Sequence, residues 1–403
     1  MKYEDYVDLK YSPKNDLICD FFVEPLGISL KKAAGGVAAE SSIGTWTETT
    51  TTKKYVESLA AKVFEIKGNN IKIAYPLELF EPSNMPNILS SVAGNVFGMK
   101  DLKNLRLNDI QIPEKLLKSF KGPKFGIKGI RKILKVPKRP LLGTIVKPKL
   151  GLKTEDHAKV AYDAWVGGCD IVKDDENLSS QIFNRFEDRL EKTFKAKEKA
   201  ERETGEKKAY MINITAECEE MIRRAELVED CGNEYVMVDI LTAGWSALQT
   251  LRDRDFNLVL HAHRAGHAAF TKNPRHGISM KVIARISRII GMDQLHAGTA
   301  VGKMYETKED VLENCKALKE KMGGLKPVMP VASGGLHAGH IPELVKIFGN
   351  NFVIQAGGGI HAIGTRTGAR AMRQALDATM KKIPLREYSK SHRELKAALE
   401  RFD

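Results

Sequence analysis

Cysteine is scarce and dispersed in this chain: Cys19, Cys169, Cys218, Cys231 and Cys315 are the only five in 403 residues, and no Cys-x-x-Cys occurs. An odd, scattered set supports neither a disulfide framework nor a thiolate zinc site; reduced, mostly buried thiols are expected. Long apolar runs are missing too, since no stretch reaches 18 residues, so no transmembrane helix is expected. The first 30 residues lack the basic, apolar and small-residue succession of a secretory leader, and a soluble, cytoplasmic protein without a membrane partner is expected. Low-complexity sequence is confined to TETTTTKK at 47–54, read as a polar strand or loop, and no solenoid-type repeat is present. With 42% hydrophobic and 29% charged residues, the composition excludes collagen-like, coiled-coil and mostly disordered chains.

Acidic charge falls short of basic charge, leaving a net +13, and the excess is local: residues 114–139 hold ten Lys/Arg against the single acid Glu114. Such a stretch can mark nucleic-acid binding. Here Gly122, Pro123, Gly126, Gly129 and Pro137 interrupt it and aromatic interleaving is slight, so a solvated basic linker is expected and no nucleic-acid partner.

Beyond that stretch, short apolar runs alternate with longer helical ones. Strands are predicted at 141–146, 169–173, 209–215, 234–239, 258–263, 294–296, 328–333 and 352–356, each start far enough from the next for a crossover helix and two loops. The 186–203 segment carries interleaved charges suited to i,i+4 pairs on an exposed helix face. YVMVDI and NLVL are nearly continuous apolar strands that need both faces covered, as in a parallel sheet wrapped by helices. Eight such units predict an α/β fold with a (β/α)8 TIM barrel over 140–403, including a helical tail. Residues 1–113 read as a smaller N-terminal α+β domain, with strand signals at 16–23 and 63–74 and helical ones at 55–61 and 87–97.

A barrel demands that its chemistry come from the C-terminal ends of its strands. Six predicted strands end in polar or glycine-rich strings: Lys147-Pro-Lys149, Lys173-Asp-Asp-Glu176, His261-Ala-His263-Arg264, His296, Ser333-Gly-Gly335 and Gly357-Gly-Gly359. Strand alternation puts Lys173 and Asp175 on one face, with Glu176 turning in from the loop and Asp174 facing away. Two carboxylates so placed form a hard-oxygen site suited to Mg2+; a simple salt bridge with Lys173 is the plain alternative. The glycine turns after strands 7 and 8 lie where barrels hold phosphate on backbone N–H groups, although glycine there can mean only a tight turn. Lys147, Lys149, Arg264 and Lys303 add cations to the same rim, so a doubly phosphorylated substrate is electrostatically reasonable. His263 lies nearer its strand end than His261, which makes it the better functional candidate of the pair.

AAESSIGTW (38–46), GNVFGMK (94–100), RPLLGTIVKPKLGL (139–152), GGCDIVKDDEN (167–177), HAHRAGHA (261–268), LHAGTAVGKM (295–304), SGGLHAG (333–339) and QAGGG (355–359) together resemble the large subunit of ribulose-1,5-bisphosphate carboxylase/oxygenase (RuBisCO), most like its archaeal form III branch. The resemblance spans both predicted domains and implies a ferredoxin-like topology for the first. It implies carboxylation of ribulose-1,5-bisphosphate by CO2 to two 3-phosphoglycerates, with competing reaction with O2. Lys173, carbamylated by CO2, would bind Mg2+ together with Asp175 and Glu176, and the carbamate would take the C3 proton to give a Mg-bound enediolate. Lys147 would protonate the product carbanion and Lys149 would position it. His263 would contact substrate and shuttle protons, and Lys303 would meet the new carboxylate from a mobile loop.

The same resemblance assigns Arg264 and His296 to one phosphate site, and Ser333, Gly335, Gly357 and Gly358 to the other, joined by Thr45 and Trp46. Glu40, Thr45, Trp46 and Asn95 would reach the site from a neighbouring subunit, so a homodimer or an assembly of dimers is implied, with no small subunit. The form III likeness implies a role in salvage of ribose from AMP and other nucleoside monophosphates. A RuBisCO-like enolase or isomerase of a phosphorylated sugar is the alternative. The chain departs from the family pattern at Gly266, where Met is usual, in the short segment between Lys303 and Pro327, in GGGIHAIG, and in a tail that ends at Asp403.

Overall fold

The computed structural model describes residues 1–47, 49–302 and 306–402. By internal contacts the chain divides into two compact units, the first comprising Met1–Lys121, Gly266–Ile290 and Lys321–Leu325, and the second Gly122–Ala265, Gly291–Glu320 and Lys326–Asp403. Among the described residues no helix is long and apolar enough to cross a membrane.

In the first unit β1 (Leu17–Pro25), β2 (Lys62–Lys67), β3 (Asn70–Tyr75) and β4 (Leu102–Gln111) form an antiparallel sheet in the order β4-β1-β3-β2. Helix Leu30–Glu40 joins β1 to β2, and helix Met85–Val92 lies between β3 and β4, which makes the split βαββαβ arrangement of a ferredoxin-like fold. The predicted 63–74 strand is a hairpin, because Gly68 takes φ +54° at the turn where a side chain would be strained. Alternation in β1 buries Leu17, Cys19, Phe21 and Val23 on one face. A two-residue strand, β10 (Gly277–Ile278), adds to the β4 edge in parallel from the excursion at 266–290.

The second unit is a closed parallel barrel of β5 (Leu141–Ile145), β6 (Ile171–Lys173), β7 (Ala209–Asn213), β8 (Tyr235–Asp239), β9 (Val259–His263), β11 (Gln294–His296), β12 (Met329–Ser333) and β13 (Val353–Ala356). These match the eight predicted strands, shortened by one to two residues at several ends. The strand-starting residues Leu141, Ile171, Ala209, Tyr235, Val259, Met329 and Val353 share one apolar cluster at the N-terminal end of the barrel.

That cluster also holds Ile127, Ile130 and Leu134 from helix Gly126–Leu134, which corrects the expectation of a solvated basic linker at 114–139. Apolar residues three and four apart turn inward, while Lys128, Arg131 and Lys132 occupy the other faces. Asp293 fastens the start of this helix, accepting hydrogen bonds from the N–H of Phe125 (2.7 Å) and Gly126 (2.9 Å) and from Arg252 (2.6 Å).

Candidate active site

Lys173 ends β6, paired to Ile145 on one side and Met211 on the other, and the chain then turns through Asp174, Asp175 and Glu176. Asp174 faces away from the barrel interior, as alternation requires. Its carboxylate accepts from Arg189 Nε (3.0 Å), Tyr210 Oη (2.9 Å) and the Asn213 N–H (3.0 Å), with His157 Nε2 at 3.1 Å. Burial works upward on this carboxyl, but Arg189, His157 and the Asn213 N–H outweigh it and hold the pKa well below the carboxylate range.

Lys173, Asp175 and Glu176 converge on the opposite side. The Lys173 ammonium is buried, donating to the Asp174 carbonyl (2.8 Å) and the Met237 Sδ (3.1 Å), and lies 3.6 Å from Glu176 Oε2. Burial lowers its pKa below the usual lysine value, although Glu176, Asp175, Asp239 and Asp174 all pull the other way. Lys147 Nζ, arriving from the end of β5, donates to Asp175 Oδ2 at 2.6 Å. Glu176 Oε2 is also 3.5 Å from His263 Nε2; burial pushes that carboxyl up, but Lys173, His263 and Lys147 bring it below its ordinary value.

The histidines form a chain whose bonding assigns their protons. His261 Nδ1 donates to Gln294 Oε1 (2.8 Å), so its Nε2 accepts from His296 Nε2 (2.9 Å), and His296 Nδ1 accepts from Ser333 Oγ (2.6 Å). Both rings are neutral: burial pushes His261 down to about 3 and His296 well below the histidine value. His261 is thus the buried member, whereas His263 donates from Nδ1 to Asp239 Oδ1 (2.6 Å) and turns Nε2 toward Glu176.

The glycine turns adjoin each other and Lys147. A Cβ on Gly359 would stand 2.0 Å from the Leu336 carbonyl, so that backbone must stay bare, whereas one on Gly357 would only touch Lys147 Cε at 3.4 Å. Gly335 takes φ +70° beside Ser333.

Family models match nearly the whole chain: ribulose bisphosphate carboxylase large chain, N-terminal domain, over residues 5–116, and the catalytic domain of the same chain over 126–402. The chain belongs to the RuBisCO large-chain family. It is 52% identical to the ribulose bisphosphate carboxylase of Methanosarcina barkeri over 99% of both chains, and 51% identical to that of Methanocaldococcus jannaschii over 98% of this chain and 99% of the other. Among solved structures, the octameric RuBisCO of Pyrococcus horikoshii superposes with a TM-score of 0.96 at 50% identity, covering 100% of this chain and 97% of that one. The dimeric archaeal RuBisCO of Hyperthermus butylicus gives 0.91 at 45% identity, covering 99% and 98%.

Within this candidate site the structure brings together Lys147, Lys173, Asp175, Glu176 and His263, and links His296 to Ser333. Arg264 is paired with Glu306 at 2.5 Å, both nearly buried, and Lys149 reaches Asn177 Oδ1 at 3.3 Å. Glu40, Thr45, Trp46 and Asn95 belong to the first unit: Glu40 ends a helix and accepts from Tyr3 Oη (2.7 Å), Thr45 is half-buried, and Trp46 and Asn95 are exposed. Trp46 is 81% exposed, which excludes core packing within this chain. Lys303 lies outside the described residues. Gly266 takes φ +80°, so the family's methionine would be strained there.

Asp239 and Glu306 went unassigned in the sequence, although Asp239 is a carboxylate at the C-terminal end of a barrel strand, the signal used for Lys173 and His263. Among the described residues no three His, Cys, Asp or Glu side chains are grouped to hold a metal. Asp175 and Glu176 have a buried amine as third member, and this set fits a divalent cation once that amine becomes an anionic oxygen donor.

Proposed function

We propose that the chain carboxylates ribulose-1,5-bisphosphate to two molecules of 3-phosphoglycerate, with competing oxygenation. The observation that carries this reading is the meeting of Lys147, Lys173, Asp175, Glu176 and His263 at the C-terminal ends of β5, β6 and β9. Lys173, carbamylated by CO2, would hold Mg2+ with Asp175 and Glu176. When bound, the ion supplies Lewis-acid stabilisation of oxygen anions in the substrate.

Lys173, once carbamylated, would supply the base that takes the C3 proton of the bisphosphate. CO2 adds at C2, water adds at C3, and the C2–C3 bond breaks to release one 3-phosphoglycerate and the C2 carbanion of the other. Lys147 donates a proton to that carbanion and Lys149 keeps it placed. His263, oriented by Asp239, moves protons at the substrate hydroxyls. Lys303 pairs with the carboxylate that forms only during reaction, where charge stabilisation raises turnover.

One phosphate is held by Arg264 and His296, which requires Arg264 to share its guanidinium with Glu306 and His296 to turn its Nε2 proton from His261 to the phosphate. The other is held by Ser333, Gly335, Gly357 and Gly358, joined by Thr45 and Trp46. Glu40, Thr45, Trp46 and Asn95 come from the partner copy of a dimer, a reading supported by the dimeric and octameric relatives. The likeness to archaeal form III supports a role in ribose salvage from nucleoside monophosphates.

The test is incorporation of labelled CO2 into 3-phosphoglycerate, with and without preincubation in CO2 and Mg2+. Label in that product after preincubation is expected. Its absence, with turnover of a singly phosphorylated sugar instead, would establish the enolase or isomerase alternative.

A further inference from the structure

His361 sits in the short GGGIHAIG turn after β13 and is absorbed by none of the roles above, yet it is tied to the strand that carries Lys147. The ladder between β13 and β5 ends at the Ala356–Thr144 pair, after which the chain leaves at Gly357. The next carbonyl of β5, that of Ile145, therefore has no strand partner on that side. His361 Nε2 donates to it at 2.8 Å.

The N–H of the same peptide group, on Val146, donates to the Lys173 carbonyl at 3.1 Å. One peptide unit is thus held from both sides, by β6 and by His361, immediately before Lys147.

The rest of the network fixes the ring. Nε2 carries the proton, so Nδ1 accepts from Thr365 Oγ1 at 3.0 Å. Thr144 Oγ1 lies 3.2 Å from Nε2 and itself donates to the Ala356 carbonyl at 2.7 Å. Burial disfavours the imidazolium, which agrees with a single ring proton. A Cβ on Gly357 would stand 3.4 Å from Lys147 Cε, so the glycine turn that leads to His361 lies beside the lysine stem.

We propose that His361 is a positioning residue for Lys147, setting the angle at which the Lys147 ammonium meets the C2 carbanion of the product. The inference rests on the carboxylase reading above. It makes a specific chemical demand. If Lys147 is late or misplaced, the C2 carbanion expels the phosphate on the adjacent C1 of the former bisphosphate: the C1–O bond breaks, the electron pair forms a C1–C2 double bond, and enolpyruvate and inorganic phosphate leave. Pyruvate then appears in place of part of the 3-phosphoglycerate, with no other reagent needed.

The experiment measures pyruvate and 3-phosphoglycerate formed per labelled CO2 fixed by wild type, His361→Leu and His361→Gln, with exchange of the C3 proton measured alongside. His361→Leu removes the donor, and His361→Gln keeps an N–H near the Nε2 position. The expected result is a pyruvate fraction about tenfold higher in H361L, near wild type in H361Q, and C3 exchange changed less than about twofold in both. An unchanged pyruvate fraction in H361L, or equal losses of exchange and carboxylation, would overturn the inference. Should H361L fail to fold, Thr365→Val carries the test, since freeing Nδ1 loosens the ring: a raised fraction supports the role and an unchanged one refutes it. A wild-type protein that fixes no CO2 would instead sink the carboxylase reading on which the inference stands.

Discussion

Asp239 Oδ1 lies 2.6 Å from His263 Nδ1, and this bond joins the ends of β8 and β9 at the one imidazole that also faces Glu176. The carboxylate keeps the proton on Nδ1 and leaves Nε2 free on the site side, the arrangement a proton-moving histidine needs. Asp239→Asn offers an amide that can turn its N–H toward the ring and select the other tautomer. Carboxylation kcat/KM is expected to fall about ten- to hundredfold with little change in thermal stability. A fall under twofold in a steady-state assay would remove Asp239 from the mechanism.

Activation is expected to depend steeply on pH because Lys173 must be a neutral amine to attack CO2. Burial lowers the pKa of the Lys173 ammonium, so the amine is more available than on an exposed lysine, yet deprotonation still limits it below that pKa. At fixed dissolved CO2, the initial activation rate is expected to rise about tenfold per pH unit there. Labelled carbonate and carbon NMR follow the carbamate directly, with Lys173→Arg as the blank. A rate with no pH dependence anywhere in the range where the protein stays folded contradicts the assignment.

Much of this architecture is legible in the sequence because barrel strands are continuous apolar runs that end in chemistry-bearing residues, as IVKDDE and LHAH show. Asp174 and Asp175 could be sent to opposite faces by alternation alone. The helix at Gly126–Leu134 was obscured by its lysines and glycines, although Ile127, Ile130 and Leu134 carry helical spacing. Long-range pairs such as Arg264 with Glu306 and His361 with Ile145 join distant segments, and no local pattern specifies them.

Arg189 and Asp174 form a nearly solvent-free ion pair behind the metal-ligand candidates, and removing one partner strands the other. Arg189→Ala is expected to cost about 3–5 kcal/mol, read as a lower melting temperature. The R189A/D174N double variant should recover part of the loss, since no buried charge remains unpaired. Asp174 has a depressed folded-state pKa, so its contribution is present above the unfolded carboxyl value and is lost as pH falls below it. Equal melting of wild type and R189A would show the pair to be energetically idle.

The His261–His296 bond gives a pH dependence of definite sign. Its geometry needs one bare Nε2, and protonating His261 would set two N–H groups against each other across 2.9 Å. Burial pushes the folded-state pKa of His261 from 6.5 down to about 3, so the unfolded chain takes up a proton across that window that the folded chain refuses. Stability is therefore lost as pH drops below about 6.5 and is unaffected by this group above it. The melting temperature of wild type should fall between pH 7.5 and pH 5.0 by more than that of His261→Gln, which has no proton to take up. Identical drops in the two proteins would mean that His261 is free to ionise in the folded state, and the hydrogen-bond chain from Gln294 to Ser333 would need another arrangement of protons.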